Sequence, residues 1–156
     1  MSSFQLVGID HEPFEPLFRL TDAELRDRGA RRCVATESPG FPCRISLQDA
    51  APGEELLLLP FAHQPANSPY RSSGPIFVRR GAKRRALGVD EVSPYVTTRL
   101  MSVRVYDNAD MIVAASVCEG AQVADCIREH FANPSASYIH LHNAKRGCFS
   151  CRVNRV

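Results

Sequence analysis

Apolar residues alternate with polar ones over several short stretches of the chain, which is typical of strands that bury one face of a sheet. In the clearest stretch, Met101, Val103 and Val105 alternate with polar neighbours before "DNAD" reverses the chain toward "MIVAASV". Two apolar runs joined by a short polar turn predict a β-hairpin. Further strands are predicted at "FQLVGI" (4–9), "RRCVAT" (31–36), "CRISL" (43–47), "ELLLLPF" (55–61) and "IFVRR" (76–80).

Two segments have the pattern of amphipathic helices. Thr21 and Glu24 have the spacing of a capping box at the start of "TDAELRDRG", and a glycine follows where that helix would end. Val123, Ile127 and Phe131 lie on one stripe of "GAQVADCIREHFANP". A helical turn is also predicted at "SPYVTTRL". Together these elements predict one α+β domain over residues 1–156, with a mostly antiparallel β-sheet and two main helices.

Residues 60–75, "PFAHQPANSPYRSSGP", are predicted to form a long loop. Loops of this length are usually functional or disordered, and the prolines here restrict the backbone. His63, Tyr70 and Arg71 are therefore candidate site residues. The alternative is a proline-rich loop that simply packs on the sheet through Tyr70.

The stretch "YIHLHNAKRGCFSC", within residues 137–153, predicts a final hairpin with one apolar and one polar face. A five-residue loop at 143–147 would place His142 across from Cys148, His140 across from Ser150, and Tyr138 across from Arg152. The polar face would then carry both histidines and Cys148. Cys151 would point to the apolar face, so a zinc site formed by Cys148 and Cys151 together is not expected.

Three kinds of chemistry remain open for this hairpin. His140 and His142 form an H-x-H pair on one side of a strand, so they could bind a divalent metal with Cys148 or His63 as a third ligand. Metal binding and an unremarkable polar surface are both compatible with the pattern.

The second kind is thiol chemistry. Cys148 would be the nucleophile with His142 as its base, close to Lys145 and Arg146 and with Asn143 as an orienting residue.

The third kind is binding of a small anionic ligand. Planar guanidinium groups bind phosphate and carboxylate groups, which makes the following arginines candidate ligand-binding residues: Arg44, Arg71 and Arg152.

Composition narrows the class of protein. The chain has 156 residues, 44% of them hydrophobic and 23% charged, as in ordinary globular domains. Its formal net charge of +2 does not indicate nucleic-acid binding. We see no apolar run of membrane-spanning length and no signal-peptide pattern, so we expect a cytoplasmic protein that is not membrane-bound and whose six cysteines are free thiols.

Four stretches resemble a bacterial family known as domain of unknown function 1203: "PGFPCRISL", "HQPANSPYRSSGPIFVR", "SVRVYDNADMIV" and "YIHLHNAKRGCFSCRVNR". The resemblance spans nearly the whole chain and implies a small bacterial protein, but it implies no particular reaction. In that family a small residue is usual at the position of Cys151, which further disfavours a C-x-x-C metal site. The matching motif residues are Pro42, Arg44, His63, Gln64, Pro65, Tyr70, Arg71, Gly74, Pro75, His140, His142, Asn143, Gly147 and Cys148.

Two classes of function follow. The first is a small-molecule binding protein or enzyme with a pocket between the 60–75 loop and the 137–153 hairpin, and a metal site at the H-x-H pair is a variant of it. The second is a non-catalytic domain whose polar strand face contacts another protein. Converging side chains would favour the first, and a flat exposed face the second. The pocket of the first class would be lined by His63, Arg71, His140, His142 and Cys148.

Overall fold

The computed structural model describes residues 2–156, which form two five-stranded sheets. The strands are β1 (Phe4–Val7), β2 (Arg31–Val34), β3 (Pro42–Cys43), β4 (Gln48–Asp49), β5 (Glu55–Gln64), β6 (Ser72–Arg79), β7 (Leu100–Tyr106), β8 (Ile112–Glu119), β9 (Tyr138–Asn143) and β10 (Phe149–Arg155). The first sheet has the order β1-β10-β9-β7-β8, and the second has the order β2-β5-β6-β3-β4. All neighbours are antiparallel except β3 and β6. The predicted α+β class with mostly antiparallel strands is confirmed.

Three short helices accompany the sheets: α1 (Asp22–Asp27), α2 (Pro94–Thr97) and α3 (Val123–Phe131). Two short 3-10 helices, Glu15–Arg19 and Gly120–Gln122, complete the helical structure of the described residues. The predicted capping box is present at α1, where Thr21 and Glu24 satisfy each other's backbone N–H groups. Of the two main helices expected, α3 alone is longer than two turns. No helix in the described part of the chain is long and apolar enough to cross a bilayer.

Each sheet has its own hydrophobic core. The apolar face of the first sheet is covered by α3, whose Val123, Ile127 and Phe131 are fully buried as the sequence predicts. The second sheet packs against α1 through Leu25. The apolar residues of β7 and β9 belong to the first core, so their alternate residues point to the opposite face of that sheet: Ser102, Arg104, Tyr106, Tyr138, His140 and His142.

The end of β5 lies against this opposite face of the first sheet. Gln64 Nε2 donates a hydrogen bond to Tyr138 Oη over 3.0 Å. The ring of His63 stacks on that of Phe149, with centroids 5.4 Å apart and planes 8° from parallel. The contact between the two sheets therefore brings His63 to the histidines of β9.

The predicted 60–75 loop is wrong in its extent. Strand β5 continues to Gln64 and β6 begins at Ser72, so only residues 65–71 lie outside the sheet. Pro60 and Pro75 were expected to interrupt the strands, but they face each other within the β5–β6 pair. Strand β2 pairs with β5 only as far as Leu58, and a strand edge without a neighbour tolerates the missing N–H of proline.

The predicted strand at 43–47 is also largely wrong. Only Cys43 belongs to β3, and residues 44–47 form a turn that ends with Leu47 in the left-handed region, at φ 55°. Ile45 and Leu47 are nevertheless fully buried. Arg44 and Ser46 are buried as well, so the alternation of apolar and polar residues in this buried turn resembled a strand without reflecting alternate burial.

The final hairpin forms as predicted, but its register differs from the predicted one. His142 lies opposite Phe149 rather than Cys148, and His140 lies opposite Arg152 rather than Ser150. The turn is tighter than expected because Gly147, at φ 80°, lets its N–H donate to the Asn143 carbonyl over 2.7 Å. An extra residue, Ser150, then forms a bulge in β10.

The bulge changes which side chains share a face. Phe149 joins the histidine face, whereas the regular alternation assumed for the predicted hairpin would place it on the apolar face with Cys151. Beyond the bulge the alternation is restored, so Cys151 is buried in the first core as predicted. The bulge carbonyls are satisfied from elsewhere in the chain: Arg44 Nε donates to the Phe149 carbonyl and Tyr95 Oη donates to the Ser150 carbonyl, each over 2.8 Å.

Candidate metal centre

Three histidines from two strands form one compact group, which we call the histidine cluster: His63, His140 and His142. One ring nitrogen from each lies within 4.8 Å of the others. His140 and His142 occupy alternate positions of β9 and so point the same way. His63 lies in an irregular part of β5, between the regular pairs made by Phe61 and Gln64.

Each histidine of the cluster has a buried nitrogen without a hydrogen-bond partner among residues 2–156. These atoms are His63 Nδ1, His140 Nδ1 and His142 Nε2. His140 is 3% exposed and His142 is 1% exposed. Buried polar atoms are nearly always hydrogen-bonded in proteins, so three rings with unpartnered nitrogens in one place form an unusual group.

The tautomer of His142 follows from its contact with the hairpin turn. Its Nδ1 lies 2.9 Å from the carbonyl oxygen of Gly147. A carbonyl can only accept a hydrogen bond, so Nδ1 carries the proton and donates it. The Nε2 atom is therefore left with its lone pair. Metal-binding histidines are usually held in this way, with the second ring nitrogen donating to a carbonyl or carboxylate.

Burial keeps the histidine cluster uncharged. It is the main cause that lowers the pKa of His140 to about 3 and that of His142 to about 4. Burial also lowers the pKa of His63, and the positive charge of Arg104 adds to the effect on all three rings. A metal ion competes with protons for imidazole nitrogens. At neutral pH each ring is therefore neutral and has one nitrogen with a free lone pair.

The geometry fits a small first-row metal ion. Zinc–nitrogen bonds of about 2.0–2.1 Å in a tetrahedral site place the ligand nitrogens about 3.3 Å from one another. The nitrogens of the cluster, within 4.8 Å of one another, need to approach by about 1.5 Å at most. Three imidazoles without a thiolate or carboxylate are a donor set that suits zinc, copper, nickel or iron.

Phe149 forms one wall of the cluster. Besides stacking on His63, its ring lies nearly perpendicular to those of His140 and His142, with ring centroids 5.2 Å and 5.7 Å away. Tyr106 packs on the far side of His140 at 5.0 Å. These rings restrict the orientation of the imidazoles and keep the surroundings of their nitrogens weakly polar, which strengthens electrostatic interactions within the cluster.

A hydrogen-bonded tyrosine borders the cluster. Tyr138 stacks on Tyr106 with centroids 5.0 Å apart, and its Oη donates to Asp110 Oδ1 over 2.6 Å while accepting from Gln64. Burial, together with the bond to Asp110, raises the pKa of Tyr138 to about 12. Tyr138 is therefore a neutral phenol near pH 7. Its bond to Gln64 also fixes the end of β5 on β9.

Three further candidate residues, two from the 60–75 segment and one from β10, lie at or beyond the edge of the histidine cluster. Tyr70 is 37% exposed, and its ring lies nearly perpendicular to that of Tyr106, with centroids 6.3 Å apart. Arg71 is exposed, and its side chain makes no hydrogen bond or ion pair with any residue that the structure describes. Arg152 places its guanidinium carbon 4.1 Å above the ring of Tyr138.

Arg44, Asn143 and Cys148 lie elsewhere, in a cavity of about 780 Å³ between the second sheet and the hairpin turn, which we call the basic cleft. Arg44 is 2% exposed, and its contacts are carbonyl oxygens. Asn143 Oδ1 is buried without a partner in the described chain. The tight turn thus places Cys148 in the cleft, so the predicted pairing of this thiol with His142 is not formed.

Two residues that matter for the cluster were not singled out from the sequence. Arg104 could have been found, because strand alternation places it on the same polar face as Ser102 and Tyr106 in the 101–106 strand. Nothing in the sequence pattern points to Phe149, because the face on which it lies depends on the bulge at Ser150.

Fold and cluster together define a small α+β protein with three converging histidines where two antiparallel sheets meet. The family described as "Protein of unknown function (DUF1203)" matches residues 40–155, and the chain belongs to that family. The matched range includes all three histidines and most of the residues that line the basic cleft. No curated protein and no solved structure matches the chain.

Proposed function

We propose that this chain is a metalloprotein whose histidine cluster binds one divalent first-row metal ion, with zinc as the best fit. The observation that supports this most strongly is the convergence of three uncharged imidazoles, with one ring nitrogen of each within 4.8 Å of the others. Each ring also has a buried nitrogen without a hydrogen-bond partner in the described chain. His140 and His142 were the ligands expected from the sequence. His63 is the third ligand, rather than Cys148.

A site with three protein ligands has room for one more. In zinc enzymes of this kind the fourth position holds water or substrate, and the ion lowers the pKa of bound water to about 7. Structural zinc sites have four protein ligands instead. The cluster therefore favours a site that binds an exogenous ligand over a purely structural one. Buried, converging histidines also favour this function over the interaction-domain alternative, which needs a flat exposed face.

Cobalt titration tests the proposal. Protein treated with a chelator and dialysed is titrated with Co²⁺, whose visible absorption reports its coordination. We expect one ion per chain and intense bands of a four- or five-coordinate site. His63→Ala and His142→Ala should each weaken binding by more than about 100-fold, since loss of a direct ligand exceeds the loss of an outer partner.

His11→Ala is the matched control, because His11 lies outside the histidine cluster. It should bind Co²⁺ as the wild type does. Absence of Co²⁺ binding by the wild type, or equal binding by the His142 and His11 variants, would refute the metal site.

The basic cleft supports a second candidate function, the binding of a small anionic ligand. Its volume of about 780 Å³ suits a small molecule. Arg44, Lys145 and Arg146 line it, and Arg44 is buried without a carboxylate partner. Cys148 lies in the same lining, so a ligand there would contact a thiol flanked by cationic groups.

A thermal-shift assay on metal-free protein tests this second candidate. Inorganic phosphate should raise the melting temperature of the wild type but not that of a Lys145→Gln/Arg146→Gln variant. Arg26→Gln, on the exposed surface of α1, serves as the control. An equal shift in all three proteins would indicate a general effect of salt and would contradict a site in the cleft.

A further inference from the structure

Arg104 lies directly beside the central histidine of the cluster. In the β7–β9 pair it is the partner of His140, so the two side chains leave the sheet on the same face with Cβ atoms about 5 Å apart. It is half-buried. Its guanidinium makes no hydrogen bond or ion pair with any residue in 2–156. A partly buried guanidinium without a partner is unfavourable unless something else binds it.

Arg152 borders the same histidine from the other side. In the β10–β9 pair it is the partner of His140. Its Nε donates to Asn154 Oδ1 over 2.8 Å, and no carboxylate in the described residues pairs with it. The residues Arg104, His140 and Arg152 therefore form a row across three adjacent strands, with a guanidinium on each side of the imidazole.

The charges of this region do not balance once a metal ion is bound. The three imidazoles are neutral ligands, so the ion keeps its double positive charge, and two guanidinium groups add to it. Asp110 supplies one negative charge next to Tyr138. Unbalanced charge is costly in a partly buried site. An additional anion would offset it.

We propose that the metal centre binds a small oxyanion, a carboxylate or phosphate group, and that Arg104 with Arg152 holds this anion beside the ion. The proposal rests on the proposed function and specifies the class of ligand. The guanidinium group suits the task because its N–H donors match two oxygens of a carboxylate or phosphate. Arg104 is the principal residue, because it is half-buried whereas Arg152 is exposed.

Loss of Arg104 should have opposite effects on the two binding steps. Its positive charge repels a bare cation, so removing the charge should leave Co²⁺ affinity unchanged or make it higher when no oxyanion is present. The same change removes charge-assisted hydrogen bonds to the anion, so it should weaken oxyanion binding by about tenfold or more. A purely structural role of Arg104 would weaken both steps together.

The experiment measures anion binding to the Co²⁺-loaded protein by the change in visible absorption. Inorganic phosphate and acetate are titrated separately, which distinguishes the two sources of oxyanion, and acetamide serves as an uncharged control. The variants are Arg104→Gln, Arg152→Gln and, as a matched control, Arg26→Gln from α1. We expect one of the two anions to alter the wild-type spectrum, Arg104→Gln to weaken that effect most, and Arg26→Gln to have no effect.

The outcomes separate the two proposals. A wild type that binds no Co²⁺ overturns the metal site and this inference with it. A wild type that binds Co²⁺ but responds to neither anion, or an Arg104→Gln protein that responds as the wild type does, overturns this inference alone. If Arg104→Gln fails to fold by circular dichroism, Arg104→Lys replaces it. That variant keeps the positive charge but lacks the planar N–H donors of the guanidinium group, so it should also bind the anion more weakly. Unchanged anion binding by Arg104→Lys would overturn the inference.

Discussion

His140 is nearly fully buried and uncharged, and its Nδ1 has no hydrogen-bond partner in the described chain. A buried polar atom in this state destabilises the folded protein by about 1–3 kcal/mol. An aliphatic residue of similar size would avoid that cost. A binding role for this nitrogen explains why a histidine occupies the position, since functional sites often reduce stability.

This cost predicts the effect of His140→Leu. In metal-free protein near pH 7 the substitution should raise the free energy of unfolding by about 1 kcal/mol, because it removes the unpartnered nitrogen while filling the same space. The variant should also lose the stabilisation that added zinc gives the wild type. Urea unfolding with and without zinc measures both effects.

His130→Leu is the control for this experiment. His130 Nε2 is hydrogen-bonded to Ser116 Oγ over 2.8 Å, so its loss should lower stability rather than raise it. A loss of more than about 2 kcal/mol in His140→Leu would show that the ring contributes to packing in a way that the unpartnered nitrogen does not reveal.

At the scale of elements, alternation and capping are sufficient to predict most strands and helices. The 101–106 strand, the capping box at Thr21 and the H-x-H strand of β9 all form as predicted. Register was the part that failed. It depends on the tightness of the turn before Cys148 and on an extra residue at Ser150. Neither leaves a periodic signal, and one residue of offset exchanges the faces of Cys148 and Phe149.

The turn of the final hairpin also orients His142, a ligand of the proposed metal site. Gly147 adopts φ 80°, and its carbonyl accepts the hydrogen bond from His142. An added Cβ would meet no atom within 4 Å, so any cost of substitution comes from the backbone conformation alone. We predict that Gly147→Ala lowers the free energy of unfolding by about 1 kcal/mol and weakens Co²⁺ binding, since the turn carbonyl orients His142.

Gly74→Ala is the matched control. Gly74 also has nothing within 4 Å of an added Cβ, and its φ is not in the left-handed region. It should therefore leave both stability and Co²⁺ affinity near wild-type values. Equal effects of the two substitutions, measured by urea unfolding and Co²⁺ titration, would contradict the role given to the turn.

At the scale of the whole molecule, the site exists because two sheets meet. His140 and His142 could be paired from the sequence because they lie two residues apart on one strand. The position of His63 could not be derived in this way, because it depends on how β5 crosses the other sheet and on the irregularity before Gln64. Long-range packing of this kind is not encoded in local periodicity, which also explains why the basic cleft was not separated from the histidines.

The buried histidines predict how stability depends on pH. The pKa values of His140, about 3, and His142, about 4, lie below the 6.5 of an unperturbed histidine. Between these values the unfolded chain binds more protons than the folded one, so the stability of metal-free protein should fall as pH falls below 6.5. The slope should approach about 1.4 kcal/mol per pH unit for each histidine.

Urea unfolding of metal-free protein between pH 7 and pH 5 measures this slope. The window lies above the range in which carboxylates titrate. A His140→Leu/His142→Leu variant provides the comparison and should show a clearly flatter profile. Identical slopes in the two proteins would mean that these rings are not kept neutral by burial in the folded state.

The most direct test of the metal site is anomalous diffraction from crystals grown with zinc, with data collected on both sides of the zinc absorption edge. We predict one strong anomalous peak about 2.0–2.1 Å from a ring nitrogen of each of His63, His140 and His142. A structure with no peak at the histidine cluster, or with zinc bound only elsewhere, such as at Cys148, would contradict the central claim.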